Sequence, residues 1–290
     1  MQLKRSLRRL LGRRPAGREL GVYPDDTFVV SYPRSGNTWT RFLIANLIGT
    51  PTLETISSMI PEIYLYSNRQ LNRFPRPRIL KSHEPFDPRY KKVIYIVRDP
   101  RDVAVSLYHY SRKRRNIPDG YPMEEFVPRY VRGEYFDFCG TWQQHVASWL
   151  YTLPNQQMLW LRYEDMLDNP EEALRKIARF MGVPLTEEKL SSAIERSSYE
   201  SMREMERGRT QQIRMTKNTR GDIPFIRNAA KGSWRTVLSR EAVLRIENTW
   251  GAAMNRLGYP VELGIPAAIA EELASAEELS FGGLDSPAVA

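Results

Sequence analysis

The chain has 290 residues, 41% of them hydrophobic, with six tryptophans: enough to bury the core of one large domain or two small ones. Its single cysteine, Cys139, excludes an internal disulfide framework and a multi-cysteine zinc site. A net charge of +9 points to an anionic partner, whether nucleotide, nucleic acid, acidic lipid or sulfated glycan, and does not choose among them.

Residues 1–18 carry Lys4, Arg5, Arg8, Arg9, Arg13, Arg14 and Arg18 and no acid, with Leu3, Leu7, Leu10 and Leu11 on one helical face. The arm reads either as a membrane-surface helix that prefers anionic lipid or, favoured at this length, as a solvated arm. No apolar run is long enough to span a bilayer, and the basic start lacks the apolar core of a secretory signal. The expectation is a soluble, cytoplasmic chain with a basic arm at 1–20, a domain at 21–262 and an acidic, Ala-rich, flexible tail at 263–290.

Thr27 to Ser31 is a β-branched and aromatic run that predicts a buried strand. Pro33 cannot donate to a ladder, and Ser35-Gly36-Asn37 favours a turn. Phe42, Leu43, Leu47 and Ile48 then recur at helical spacing. A strand, a tight loop and a helix in succession place free backbone N–H groups at a helix N-terminus, a ready anion site, and Arg34 adds a fixed cation. Residues 50–77 predict a long loop with short helices. Arg78 to Ser82 and Lys92 to Val97 predict two further strands. Asp99 is a good N-cap, with Pro100 at the first helical position, for a helix to about Tyr110 that ends in the basic run 111–115.

Helices are expected between Met123 and Leu150, broken near Gly133 and Gly140, and a strand at Met158 to Arg162. Asn169-Pro170 opens a helix to Met181 with Gly182 as its C-cap, and Thr186 to Ser197 forms another. Residues 200–222 predict a loop or helix-loop, and Ser239 caps a helix to Leu257. Strands alternating with helices indicate an α/β fold: one P-loop-like domain with a parallel sheet covered by helices on both faces. Ligands of such sheets sit beyond the carboxyl ends of the strands. Those ends carry Arg34-Ser35-Gly36, Lys81-Ser82-His83, Arg98-Asp99 and Arg162-Tyr163, a concentration of cations that argues for an anionic substrate.

The first loop is not the G-x-x-x-x-G-K-[ST] form of nucleoside triphosphatases: Asn37 stands where lysine would be, and no strand ends in a clear magnesium-binding Asp. A P-loop-type nucleotide kinase or hydrolase is therefore the alternative. No basic-aromatic RNA motif supports a nucleic-acid partner.

Tyr32-Pro33-Arg34-Ser35-Gly36-Asn37-Thr38-Trp39 resembles the phosphosulfate loop of the cytosolic-type sulfotransferase family. Lys81-Ser82-His83-Glu84-Pro85 resembles its Lys-x-His-x-Pro segment, and Val97 to Ser106 its 3′-phosphate segment. Arg162 to Met166 and Phe225 to Trp234 resemble two further blocks in the same order. The resemblance runs from about Phe28 to Arg235. It implies 3′-phosphoadenosine 5′-phosphosulfate as donor, no metal, and transfer of a sulfuryl group by in-line displacement to an acceptor hydroxyl or amine on a small molecule, lipid or glycan.

The resemblance places the donor's 5′ end on Arg34, Ser35, Gly36, Asn37 and Thr38, and its 3′-phosphate on Arg98, Ser106 and Arg227. It places the adenine near Trp39, Tyr163, Ser197 and Tyr199. His83 is implied as general base, with Arg34 and Lys81 stabilising charge on the sulfuryl group. His109 and His145 are read as structural. Two departures stand out. Many relatives have Lys where this chain has Arg34. The usual Arg-Lys-Gly of the last block reads Arg227-Asn228-Ala229, so Asn228 occupies a donor-binding position without the charge. That loss keeps open a sulfotransferase-like binding protein without activity. Tyr64, Tyr66, Phe74, Tyr108, Phe136 and Phe138 are candidates either for an acceptor pocket or for ordinary core.

Overall fold

Apolar residues on successive strand positions point to opposite faces of a sheet, and the chain buries both sets. The computed structural model describes residues 16–151, 157–207, 216–227 and 230–262. Four strands, β1 (Thr27–Ser31), β2 (Ile79–Ser82), β3 (Lys92–Val97) and β4 (Gln157–Arg162), pair in parallel in the order β2-β1-β3-β4. Phe28, Val30, Val93, Tyr95 and Val97 enter one hydrophobic core. Val29, Ile94 and Ile96 enter the other.

The helix α1 (Asn37–Ile48) lies on the second face with α8 (Pro170–Met181) and α9 (Glu187–Arg196). The first face is covered by α4 (Pro100–Lys113), α5 (Met123–Val131), α6 (Trp142–Leu150) and α12 (Arg240–Arg256). Shorter helices α2 (Ile56–Met59), α3 (Asn68–Leu71), α7 (Tyr163–Asp168), α10 (Tyr199–Glu206) and α11 (Trp234–Val237), with a 3-10 turn at Gly17–Glu19, complete the described elements. The chain leaves β1 for one face and β3 for the other, so the two carboxyl ends diverge and open a crevice between them.

Local signals set several helix ends. Asp99 accepts from the N–H of Arg101 with Pro100 at N1 of α4. Asn169 accepts from Glu172 at the start of α8, whose C-cap Gly182 is left-handed at φ 71°. Ser239 caps α12.

The last residues of the stretch read as a basic arm pack against the domain. Ala16 and Leu20 are buried in the core, and Arg18 donates to Glu84 at 2.9 Å. The rest of the basic arm, residues 1–15, the tail 263–290, and Asn228 with Ala229 lie outside the described residues. The helix expected to end near Tyr110 continues to Lys113 because that lysine is held inside: its Nζ donates to the carbonyls of Arg220 and Ile223 at 2.8 and 2.7 Å. No described helix is long and apolar enough to cross a membrane.

Candidate active site

A cleft of about 790 Å³ opens at the carboxyl ends of the strands, between the loop after β1 and the segments following β2 and β3. The first wall is the loop itself. Gly36 has φ 95°, and a Cβ there would stand 2.3 Å from Cδ2 of Tyr163, so only glycine permits this turn against this ring. Arg34 is also left-handed at φ 71°. The Asn37 side chain turns inward, its Nδ2 donating to the carbonyl of Val29 at 3.2 Å and to Ser31 Oγ at 3.3 Å. Asn37 therefore offers an anion its backbone, as the opening residue of α1, where N–H groups lack intrahelical partners. Ser35 is fully buried and is not on the cleft wall, whereas Gly36, Thr38 and Trp39 are.

Trp39 packs edge-on against Tyr163 with centroids 5.7 Å apart and donates from its indole to the carbonyl of Ser197 at 3.0 Å. Ser197 Oγ is held by Asn46 at 3.1 Å, and the Tyr199 hydroxyl donates to the carbonyl of Arg227 at 2.8 Å. These residues, scattered from 39 to 227, form one aromatic wall. Arg98 is buried, stacks over Tyr163 at 4.3 Å, and donates to the carbonyls of Arg34 and Ala230 at 3.3 and 2.9 Å, while its Nε has no partner among the described residues. The Arg34 Nε donates to Ser106 Oγ at 3.2 Å, and its guanidinium lies 4.6 Å over Tyr110 and 5.3 Å over Phe225. Arg227 shares the cleft.

Lys81 and His83 stand two residues apart at the end of β2, so the strand aims both to one side. His83 Nδ1 lies 2.6 Å from the carbonyl oxygen of Ser31. A carbonyl can only accept, so Nδ1 carries the proton and Nε2 keeps its lone pair. Burial, reinforced by the Lys81 charge, holds the His83 pKa well below its ordinary value, so the ring is neutral at pH 7. The neutral ring keeps its Nε2 lone pair available, although burial makes it a weaker base than a free imidazole.

Two neighbours fix the backbone of His83. Its N–H donates to the Tyr64 hydroxyl at 2.9 Å, and its carbonyl accepts from His145 Nε2 at 3.2 Å. His145 is fully buried and in turn accepts from the Tyr95 hydroxyl at 3.0 Å, a structural role one layer beneath the cleft. His109 is not on the cleft wall.

The Lys81 ammonium is 2.8 Å from Glu62, whose other oxygen accepts from Arg41 at 3.0 Å. Burial opposes ionisation of Glu62, yet the two cations outweigh it and bring the carboxyl down to about 2. Sequence reasoning missed Glu62 and Arg41. The available signal was a charged residue within the apolar stripe of α1.

Asp102, equally unforeseen, is fully buried and accepts from Gly232 N–H at 2.6 Å, Ser233 Oγ at 2.8 Å and Trp234 N–H at 3.1 Å. It anchors the end of the Phe225-to-Trp234 block. Glu206 anchors the beginning, accepting from the N–H groups of Phe225 and Ile226 at 2.6 and 3.0 Å. Of the six aromatic candidates, Tyr64, Phe136 and Phe138 line the cleft. Tyr66 and Phe74 pack on each other against the core, and Tyr108 donates to the carbonyl of Tyr121. Among the described residues, no group of three His, Cys, Asp or Glu side chains could hold a metal ion.

The sulfotransferase domain model matches residues 24–258, which includes every one of these cleft residues. The chain belongs to the sulfotransferase family. Among curated relatives, it is 31% identical to mouse sulfotransferase 2B1 over 238 residues, 76% of this chain and 70% of that protein. It is 29% identical to dog sulfotransferase 1B1, over 73% of this chain and 77% of that protein. The fold is shared with retinol dehydratase in complex with androsterone and the inactive cofactor PAP (TM-score 0.71, 22% identity, 87% of this chain and 86% of that one). It is shared also with a mouse sulfotransferase complexed with PAP (TM-score 0.67, 22% identity, 91% and 92%).

Proposed function

We propose that this sulfotransferase moves a sulfuryl group from 3′-phosphoadenosine 5′-phosphosulfate to a hydroxyl or amine on a small acceptor. The observation that carries the reading is the fixed tautomer of His83, 2.6 Å from the Ser31 carbonyl, at the mouth of the anion loop. PAP, held by two solved neighbours, is this donor's desulfonated product, which supports the same donor here.

In this reading the N-terminal amides of α1 cradle the 5′-phosphosulfate, with Gly36, Asn37 and Thr38 contributing backbone. Arg98, Ser106 and Arg227 take the 3′-phosphate, and the wall of Trp39, Tyr163, Ser197 and Tyr199 takes the adenine. His83 Nε2 removes the acceptor proton as the acceptor oxygen or nitrogen bonds to sulfur. The bond from sulfur to the bridging oxygen breaks, and its electron pair leaves with the 5′-phosphate of adenosine 3′,5′-diphosphate. Lys81, held in place by Glu62, stabilises charge on the sulfuryl oxygens.

The acceptor end is lined by Tyr64, Leu65, Phe136 and Phe138 beside His83. Tyr64 lies nearly parallel to the His83 ring, 6.2 Å away, and 5.2 Å from Phe138. This collar suits a flat, apolar alcohol or phenol better than a glycan. The reading places the enzyme in the cytoplasm, where its buried, unpaired Cys139 stays reduced.

The test is a screen of phenols, sterols, glycans and lipids with sulfur-labelled donor, with His83→Ala as control. Label transfer by the wild type that falls by orders of magnitude in His83→Ala, with nucleotide binding retained, supports the reading. Stabilisation by adenosine 3′,5′-diphosphate with no transfer to any acceptor would favour a binding protein, and stabilisation by ATP instead would favour the kinase or hydrolase alternative.

A further inference from the structure

His83 and Arg98 both stand just past the last paired residue of a strand. The ladder ends at Ser82 on β2 and at Val97 on β3. Because β1 lies between these two strands, the sheet does not pair the backbone that carries His83 with the backbone that carries Arg98. One helix face joins them instead. Trp142, His145 and Trp149 recur at helical spacing along α6, and all three are fully buried. Each donates a ring N–H to a main-chain carbonyl: Trp142 to that of Arg98 at 3.1 Å, His145 to that of His83 at 3.2 Å, and Trp149 to that of Glu84 at 3.0 Å. From the same helix, Ser148 Oγ accepts from the Phe86 N–H at 3.1 Å.

We propose that Trp142 and Trp149 are positioning residues: through these carbonyls, α6 fixes where His83 stands relative to Arg98. The acceptor end of the cleft is thereby held in register with the end that takes the donor's 3′-phosphate. The proposal rests on the donor reading above.

A buried indole N–H needs an acceptor, and any core carbonyl would satisfy it. The carbonyls used here are those of residues 83, 84 and 98, where ladder bonds no longer fix the chain and where the site side chains emerge. Dimensions agree with the bridging role. Seven residues of helix, from Trp142 to Trp149, rise about 10 Å, and two strand spacings, from β2 across β1 to β3, also come to about 10 Å. The helix itself is firmly set. Thr141 and Gln144 form a capping box at its start, Trp142 packs on Trp250 with centroids 5.6 Å apart, and Trp149 packs on Phe86 and Tyr90 at 5.4 and 6.0 Å. Between them, His145 Nδ1 accepts from the Tyr95 hydroxyl at 3.0 Å, which leaves Nε2 to donate to His83. Neither tryptophan lines the cleft, so each acts on the site only through the backbone it holds.

The test takes two readouts on the full chain as wild type, Trp142→Phe and Trp149→Phe. One is affinity for adenosine 3′,5′-diphosphate against adenosine 5′-monophosphate. The other is the nitrogen-15 NMR spectrum of the histidine rings, which reports the tautomer; the chain has three histidines, and His83→Ala assigns the signal. Phenylalanine keeps a ring and removes the N–H. Where thermal unfolding shows that a phenylalanine variant is not folded, benzothienylalanine at the same position keeps the indole's shape without its N–H. Trp142→Phe should lower the preference for the 3′-phosphorylated nucleotide about tenfold, the equivalent of one hydrogen bond, and leave the His83 signal unchanged. Trp149→Phe should keep the nucleotide preference and move the His83 nitrogens from the values of one tautomer toward the average of the two. If neither readout moves in folded variants, or both variants move both readouts alike, the indoles only fill the core and the proposal is overturned while the donor reading stands. A wild type indifferent to the 3′-phosphate would overturn both.

Discussion

Gly36→Ala is a sharp probe of how the anion loop is built. Two costs add at this position. The backbone is left-handed, at φ 95°, where an L residue pays roughly 1–2 kcal/mol. The new Cβ would also meet Tyr163 at 2.3 and 2.8 Å, and relieving such overpacking costs about 1–3 kcal/mol. The sum is about 2–5 kcal/mol, a large fraction of a domain's stability. The two parts separate in a double-mutant cycle. Tyr163→Ala removes the ring and leaves the backbone conformation, so Gly36→Ala should cost only about 1–2 kcal/mol in that background. The expected coupling is about 1–3 kcal/mol, read from urea unfolding of the four proteins at equilibrium. If Gly36→Ala costs the same in both backgrounds, the ring contact is not what demands glycine, and the packing argument for the loop fails.

Two further outcomes follow from buried groups around the cleft. His145 is fully enclosed with its pKa lowered to about 4 by burial, against an unfolded value near 6.5. The unfolded chain therefore takes up a proton that the native chain refuses, and stability should fall as pH drops from 6.5 to 4, by about 3 kcal/mol from this group. Urea midpoints across that range should show a shallower acid decline in His145→Gln; an unchanged slope would contradict the assignment. Glu206→Gln removes the charge that accepts the Phe225 and Ile226 N–H groups and faces Lys113 at 3.9 Å. Weakening these charge-assisted bonds, each worth roughly 1.5–3 kcal/mol, should loosen the strap and reduce adenosine 3′,5′-diphosphate affinity about ten- to hundredfold. Calorimetric titration reads this, and unchanged affinity would show that the strap needs no such anchor.

What could be read without coordinates was local. The strands at Thr27–Ser31 and Lys92–Val97 announce themselves because their β-branched residues serve two buried faces. The caps at Asp99, Asn169 and Ser239 act on N–H groups two or three residues away, so sequence spacing suffices. The unread features join distant residues. Glu62 meets Lys81 and Arg41 through a segment with no period. Asp102 reaches Gly232, Ser233 and Trp234 across 130 to 132 positions. Tyr64 and Tyr66 sit two residues apart in one loop, yet only Tyr64 reaches the cleft; Tyr66 donates to the carbonyl of Ser57 and packs on Phe74.

The amino-acid sequence by itself determined the kind of protein this is. An anion loop between strand and helix, basic groups at strand ends and a lysine and histidine two positions apart are all encoded in short spans whose geometry is set by backbone periodicity. Tertiary structure alone decided what each charge does. Folding brought the Ser31 carbonyl to His83, 52 residues away, and so chose which ring nitrogen is free. It brought Ser106 to Arg34, 72 residues away, and so set which side chain holds the loop arginine. A side chain's partner depends on what the fold packs beside it, and no local pattern carries that information.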